Sequence, residues 1–163
     1  RYISVTGVQT CALPISGGAG AVAENAATSY VIYAASAADP EGVPVTYSLA
    51  GADRDLLNID SATGEVTLKA SADFEAKTSY SFTVVATDAS NHQTTQPVTV
   101  SVSNVDEVPV FSSGGTGAVA ENAATSYVIY AASAADPEGV PVTYSLAGAD
   151  RDLLNIEIGR AHV

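Results

Sequence analysis

The stretch Tyr80-Ser81-Phe82-Thr83-Val84-Val85-Ala86-Thr87 alternates large apolar side chains with mostly small polar ones. Neighbouring side chains of an extended strand point to opposite faces, so the even-numbered side chains of this stretch share one face. Its Thr, Val, Tyr and Ser content disfavours a helix. The stretch is therefore predicted to be a half-buried strand at the centre of a sheet.

Similar short stretches lie on both sides of this strand and are separated by turn residues. Candidate strands are Ala21–Asn25, Ser29–Ala35, Val43–Leu49, Leu57–Asp60, Glu65–Lys69 and Pro97–Val102. Seven strands in about 95 residues, without a helical period, predict an all-β, immunoglobulin-like Greek-key β-sandwich. The predicted core consists of Val31, Tyr33, Tyr47, Leu49, Ile59, Val66, Leu68, Tyr80, Phe82, Val84, Val98 and Val100.

The first part of this sandwich is repeated later in the chain. Ser16–Ile59 recurs as Ser113–Ile156, and the two copies differ only at Ala19 and Thr116. The sequence thus predicts a tandem repeat with a complete domain at 16–111 and a truncated second domain at 112–156. The truncated copy lacks the later strands, so we expect that it cannot close a sandwich and that alone it is disordered or aggregates.

The two ends of the chain differ from the repeat. Ile158–Val163 can be back-translated as ATC GGA AGA GCA CAC GTC, and the opposite strand, in a shifted frame, encodes Thr10–Ile15. The flanks 1–15 and 157–163 therefore resemble translated sequencing-adapter DNA, and we expect them to be foreign to the domain. The single cysteine, Cys11, lies in the first flank.

Composition limits the classes of function. The formal net charge is −12 at pH 7, so the chain is expected to repel nucleic acid and anionic membranes, and to tolerate self-repulsion or bind cations. No nucleophile motif, phosphate-binding loop or histidine pair for zinc is present. Asp73 and Glu75 could suggest glycoside hydrolysis, but one small sandwich predicts no cleft for a sugar. We expect that the protein is not an enzyme.

Acidic and amide side chains cluster at particular points of the predicted fold. Glu24 ends the first strand, Asp73 and Glu75 lie in one loop, and Asn104, Asp106 and Glu107 follow the last strand. These three groups can meet at the end of the sandwich where the chain leaves it, with Asp136 and Glu138 facing the same junction from the second copy. A solvated acidic surface is the alternative interpretation.

Three other polar groups are expected to be surface features. His92, in Ser90-Asn91-His92-Gln93, is predicted to be an exposed turn residue. Asp53, Arg54 and Asp55 are predicted to form an exposed loop with a local ion pair. Of Tyr30 and Tyr33, which fall on opposite faces, one is expected to be exposed.

Seven motifs, taken in order, resemble those of bacterial cadherin-like repeats over about 16–156. They are Ala23-Glu24-Asn25, Asp39-Pro40-Glu41-Gly42, Tyr47-Ser48-Leu49, the hairpin from Ile59-Asp60 to Thr63-Gly64-Glu65-Val66, Asp73-Phe74-Glu75, Ala86-Thr87-Asp88 and Asn104-Val105-Asp106-Glu107-Val108-Pro109-Val110-Phe111. Two of them depart from the family pattern. The linker Val105-Asp106-Glu107-Val108-Pro109 stands where the family has Asp-x-Asn-Asp-Asn-x-Pro, and Ala72-Asp73-Phe74-Glu75 stands where it has Leu-Asp-Arg-Glu.

The resemblance implies Ca²⁺ bound between successive modules of a cell-adhesion protein. The ligands implied are Glu24, Asp73, Glu75, Asn104, Asp106 and Glu107 from the first copy and Asp136 and Glu138 from the second, with Asp39, Glu41 and Asp88 serving the preceding interface. Carboxylate and carbonyl oxygens are the ligands that calcium prefers.

The function that the resemblance implies is an adhesion module of a long, repetitive protein that is extracellular or at the cell surface, and calcium would rigidify the junction between its repeats. Its partners would be neighbouring repeats of the same chain and other cell-surface molecules or like copies, including homophilic contacts at the membrane. The alternative is a calcium-independent spacer that projects other domains.

Overall fold

The computed structural model describes residues 13–14, 19–40 and 42–156. The chain divides into two compact units between Val105 and Asp106. Among the described residues, no helix is long and apolar enough to cross a membrane.

The first unit is built of short strands joined by turns. In chain order these are β1 (Leu13–Pro14), β2 (Ala19–Ala23), β3 (Val31–Ala34), β4 (Ala37–Ala38), β5 (Thr46–Ala50), β6 (Leu57–Ile59), β7 (Glu65–Leu68), β8 (Ser79–Thr87) and β9 (Gln93–Ser103). A 3-10 turn, Arg54–Leu56, precedes β6.

Two sheets enclose the core of this unit. One has the strand order β2-β9-β8-β5 and the other β3-β7-β6, while β1 pairs with β4. Strand β2 runs parallel to β9, and the other pairs within the two sheets are antiparallel. The prediction of an all-β sandwich is confirmed, and β8 lies between β5 and β9, as its alternating pattern predicted.

The alternation of β8 and β9 sets the inner face of the larger sheet. Tyr80, Phe82 and Val84 are at most 6% exposed, and Val98 and Val100 at most 2%. Polar residues between them face outward, as expected for a sheet with one buried face. The side chains of Tyr47, Leu49 and Ile59 are partly buried and pack against this core.

The prediction that Val31 belongs to the core is wrong. Val31 is 38% exposed, whereas Ile32 and Tyr33 are 4% and 7% exposed. The pairing of β3 with β7 shifts register between Val31 and Tyr33, so strict alternation fails there. Two consecutive side chains therefore enter the core, and Tyr33 meets Phe82 edge to face with ring centroids 6.1 Å apart.

Several strand boundaries differ from those predicted. Strand β5 begins at Thr46 instead of Val43, and the intervening Pro44 has no N–H to give to a ladder. Strand β2 ends at Ala23 instead of Asn25, because Asn25 turns the chain with a φ of 58°. Strand β9 begins at Gln93, four residues earlier than predicted, because it pairs with β8 along its whole length.

Gly64 closes the β6–β7 hairpin in a conformation that a larger residue would strain. Its φ is +76°, and a Cβ built there would lie 2.7 Å from the carbonyl oxygen of Ala35. Gly42 has nearly the same φ, +74°, but open space around it. We expect Gly64→Ala to lower the free energy of unfolding by about 1–3 kcal/mol more than Gly42→Ala. Urea denaturation of both variants measures the difference, and equal losses would show that the contact with Ala35 is unimportant.

The described part of the second unit has fewer strands than the described part of the first. Among its described residues, 106–156, β10 (Val110–Phe111) pairs with β11 (Ala134–Ala135), and one 3-10 turn covers Arg151–Leu153. This pair occupies the place that β1 and β4 hold in the first unit. Residues 116–120 and 154–156, which repeat the sequences of β2 and β6 apart from Thr116, are not strands here.

Candidate metal centre

The buried carboxylate of Glu24 organises one end of the first unit. Glu24 follows β2 and is 3% exposed. Its Oε2 accepts the N–H of Phe74 at 2.8 Å, and its Oε1 accepts the N–H of Val105 at 2.6 Å. Its own N–H donates to the carbonyl oxygen of Ser103 at 3.0 Å. Because buried carboxylates require such partners, these contacts hold three chain segments together.

Asp73 and Glu75 lie two positions apart in the loop that Glu24 holds. The Oδ1 of Asp73 accepts the N–H of Ala76 at 2.9 Å, and Asn104 Nδ2 donates to Glu75 Oε1 at 3.2 Å. A carboxylate oxygen of Glu75 lies within 4.8 Å of one of Glu24. The first unit thus brings together four residues that the family resemblance implied as ligands. We call them the exit cluster: Glu24, Asp73, Glu75 and Asn104.

Like charges repel one another in the exit cluster. Partial removal from water raises the pKa of the Glu75 carboxyl above its ordinary value, and the negative charges of Glu24 and Asp73 raise it further. Each carboxylate oxygen that accepts one hydrogen bond keeps a second lone pair. The cluster therefore offers several oxygen ligands that carry mutually repelling negative charges, which fits a calcium ion.

The second unit holds its own group of predicted ligands. Glu138 Oε1 accepts the N–H of Glu107 at 3.2 Å, and Glu138 N–H donates to Asp136 Oδ1 at 3.1 Å. The other oxygen of Glu138, Oε2, is buried and has no hydrogen-bond partner among the described residues. Removal from water and the Asp136 carboxyl raise the pKa of Glu138. A cation bound there would give this buried oxygen the partner that it lacks. Asp106, another predicted ligand of this unit, is exposed.

Asp88 lies at the other end of the four-stranded sheet, in the turn between β8 and β9. Its Oδ1 accepts the N–H groups of Ser90 and His92, each at 2.8 Å, and its Oδ2 lies 2.9 Å from His92 Nδ1. Burial opposes ionisation of Asp88, but the hydrogen bonds from His92 and Ser90 outweigh it and lower its pKa. His92 was predicted to be an exposed turn residue. It lies in this turn, but its side chain is half-buried against Asp88, so the prediction of exposure is wrong.

Asp39 also stabilises a turn. Its carbonyl oxygen accepts the N–H of Gly42 at 3.0 Å, and its Oδ1 accepts the N–H of Val43 at 3.3 Å. Glu41 lies outside the described residues. That Asp39, Glu41 and Asp88 serve a preceding interface stays a prediction.

Asp53 has a structural role that the sequence did not reveal. Its Oδ2 accepts the N–H of Ser81 at 2.7 Å, and its Oδ1 pairs with Lys77 Nζ at 3.0 Å. The Ser81 hydrogen bond is the main cause of its lowered pKa. The predicted local ion pair is present between Arg54 and Asp55, at 3.5 Å. Asp53, by contrast, ties its loop to β8 across a long sequence separation.

Comparison with protein families and with curated proteins identifies relatives of this chain. Residues 19–103 match the family described as cadherin domain. The chain is 34% identical over 120 residues to protocadherin Fat 4 of Mus musculus, which covers 69% of this chain and 2% of that protein. It is 45% identical over 67 residues to cadherin-17 of Mus musculus, covering 41% of this chain and 8% of the relative. The chain thus spans a small part of the relatives it matches.

Solved structures show the same fold. The crystal structure of human protocadherin-24 EC1-2 matches with a TM-score of 0.56 at 19% identity, covering 78% of this chain and 60% of that one. The structure of mouse cadherin-23 EC22-24 matches with a TM-score of 0.52 at 25% identity, covering 77% of this chain and 44% of that one.

Proposed function

The chain belongs to the cadherin domain family, a family of cell-adhesion modules, and we propose that it is a calcium-binding module of a longer, repetitive protein at the cell surface. The observation that carries this proposal is the exit cluster. A buried glutamate, two further carboxylates and an amide converge where the chain leaves the sandwich. A bound cation would reduce the repulsion between the carboxylates.

The chain's own residues define what the site does. Glu24 orients the loop of Asp73 and Glu75 and the segment after β9, so that the oxygens of the exit cluster are held close before any ion binds. Calcium, when bound, supplies positive charge and accepts six to eight oxygen ligands. The negative charge of the cluster attracts the cation, and the hydrogen bonds of Glu24 limit how far its ligands must reorganise.

The proposal extends to the junction between repeats. The resemblance to the family implies four further ligands, Asp106, Glu107, Asp136 and Glu138. Calcium shared by two repeats would rigidify the segment that joins them. The partners proposed are the neighbouring repeats of the chain, and like copies or other cell-surface molecules. An extracellular location is proposed with them, since calcium is abundant there and weak sites can fill.

Calorimetric titration of the chain with calcium tests this function. We expect a dissociation constant on the order of 10⁻⁴–10⁻³ M, typical of extracellular modules, and no comparable heat with magnesium. Glu75→Gln should weaken binding about tenfold or more, because it removes a charged ligand from an exposed position without disturbing the core. Asp106→Ala combined with Glu107→Ala should weaken it as well.

Glu65→Gln is the matched control, since Glu65 is also exposed but lies on β7 in the other sheet. It should bind calcium like the unchanged chain. Equal affinity in the Glu75→Gln and Glu65→Gln variants would contradict the exit cluster as the site. Absence of any calcium heat would favour the spacer function.

A further inference from the structure

A basic residue, Lys77, follows directly after the loop of Asp73 and Glu75. The N–H of Lys77 donates to the carbonyl oxygen of Asp73 at 2.9 Å, and this bond across four residues closes one turn of the chain. Side chains four residues apart on such a turn are neighbours, and an acidic residue followed by a lysine at this spacing forms a favourable ion pair. Asp73 is therefore the local partner expected for the Lys77 ammonium group.

The Lys77 side chain binds a different carboxylate instead. Its Nζ lies 3.0 Å from Asp53 Oδ1 and 5.5 Å from the centroid of the Tyr80 ring. The side chain of Asp53 is 14% exposed, whereas Asp73 belongs to the exposed residues. Opposite charges attract each other more strongly where water is partly excluded. The shielded carboxylate of Asp53 therefore holds the ammonium group in preference to the exposed carboxylate of Asp73.

Contacts with β8 fix the position of Asp53. Its Oδ2 accepts the N–H of Ser81 at 2.7 Å, and its own N–H donates to the carbonyl oxygen of Ser81 at 3.2 Å. Gly51 permits this close approach, because its φ is +96° and a Cβ built there would lie 3.1 Å from the Cα of Phe82. The carboxylate that receives Lys77 is thus held by the sheet and does not depend on the loop of Asp73.

We propose that Asp53 is a positioning residue that keeps the Lys77 ammonium group away from the exit cluster and so preserves the affinity of the cluster for calcium. This inference rests on the proposed function. The stem of a lysine is flexible, so an ammonium group released from Asp53 can turn to Asp73. There it would compete with calcium for carboxylate oxygens and reduce the negative charge that attracts the ion.

Calcium titration of variants of the full chain tests this role. Asp53→Asn should raise the dissociation constant about two- to fivefold, because the amide can still accept the Ser81 N–H but no longer holds the ammonium group. Lys77→Gln should not raise it, and Asp53→Asn combined with Lys77→Gln should bind calcium like Lys77→Gln alone. Asp55→Asn is the matched control and should leave the affinity unchanged, since it removes the same charge from a residue that pairs with Arg54.

The ¹³C signal of the Asp73 side-chain carboxyl group in the calcium-free chain gives a second measurement. Asp53→Asn should shift this signal, and adding Lys77→Gln should abolish the shift, because the approaching ammonium group is then gone. If Asp53→Asn and Lys77→Gln raised the dissociation constant equally, the ion pair would only anchor the loop and the proposal would be wrong. Calcium binding that Asp53→Asn leaves unchanged would overturn this role alone, whereas absence of calcium binding by the unchanged chain would overturn the proposed function with it.

Discussion

Ile32→Ala should lower the free energy of unfolding of the first copy by about 2–4 kcal/mol, the range for a buried isoleucine truncated to alanine. The residue is 4% exposed and belongs to the core between the two sheets. Removing three carbons leaves a cavity that Val66 and Phe82, both at most 2% exposed, cannot readily fill. Guanidinium denaturation, monitored through hydrogen exchange of the amides in 79–103, measures the loss of stability.

Ile129→Ala is the internal control for this prediction. It is the same residue in the same local sequence, but 37% of it is exposed in the second copy. It should change the unfolding of the first copy by less than about 0.5 kcal/mol. Similar losses in the two variants would mean that the second copy is as well packed as the first.

Glu24→Ala should lower the free energy of unfolding by about 3–5 kcal/mol, an effect comparable with the loss of a core side chain. It leaves the N–H groups of Phe74 and Val105 without their acceptor, and hydrogen bonds to a charged group contribute about 1.5–3 kcal/mol each. Glu24→Gln should cost less, because the amide oxygen can still accept one of the two bonds. Thermal and urea denaturation in the absence of calcium measure both.

The control for Glu24 is its counterpart in the second copy, Glu121, which is exposed. Glu121→Ala should change stability by less than about 0.5 kcal/mol. If Glu24→Ala were equally mild, the carboxylate would not hold the end of the sandwich together, and its role would be limited to a ligand.

Much of the sandwich could be predicted because its central strands alternate without interruption. The side chains of Tyr80, Phe82 and Val84 needed only the two-residue period of a strand. Val31 could not be placed correctly, because a bulge against β7 reverses the alternation and depends on the partner strand. Local sequence does not contain that information.

The candidate site was predictable in part for a related reason. The order of motifs pointed to Glu24, Asp73, Glu75 and Asn104, and the sheet pairing brings them to one end. The sequence did not reveal that Glu24 is buried and binds two backbone N–H groups, since those partners lie 50 and 81 residues away. The pairing of Asp53 with Lys77 and Ser81 was missed for the same reason. Contacts between distant segments emerge only from the folded chain.

The most direct test of the central claim is thermal unfolding of the chain with about 5 mM calcium and then with a chelator. For dissociation constants on the order of 10⁻⁴–10⁻³ M, linkage predicts that calcium stabilises the folded state by roughly 1–2.3 kcal/mol per site. The account predicts a clear rise in melting temperature that magnesium does not reproduce and that Glu75→Gln reduces. An unchanged melting temperature would contradict calcium binding and leave the sandwich as a spacer.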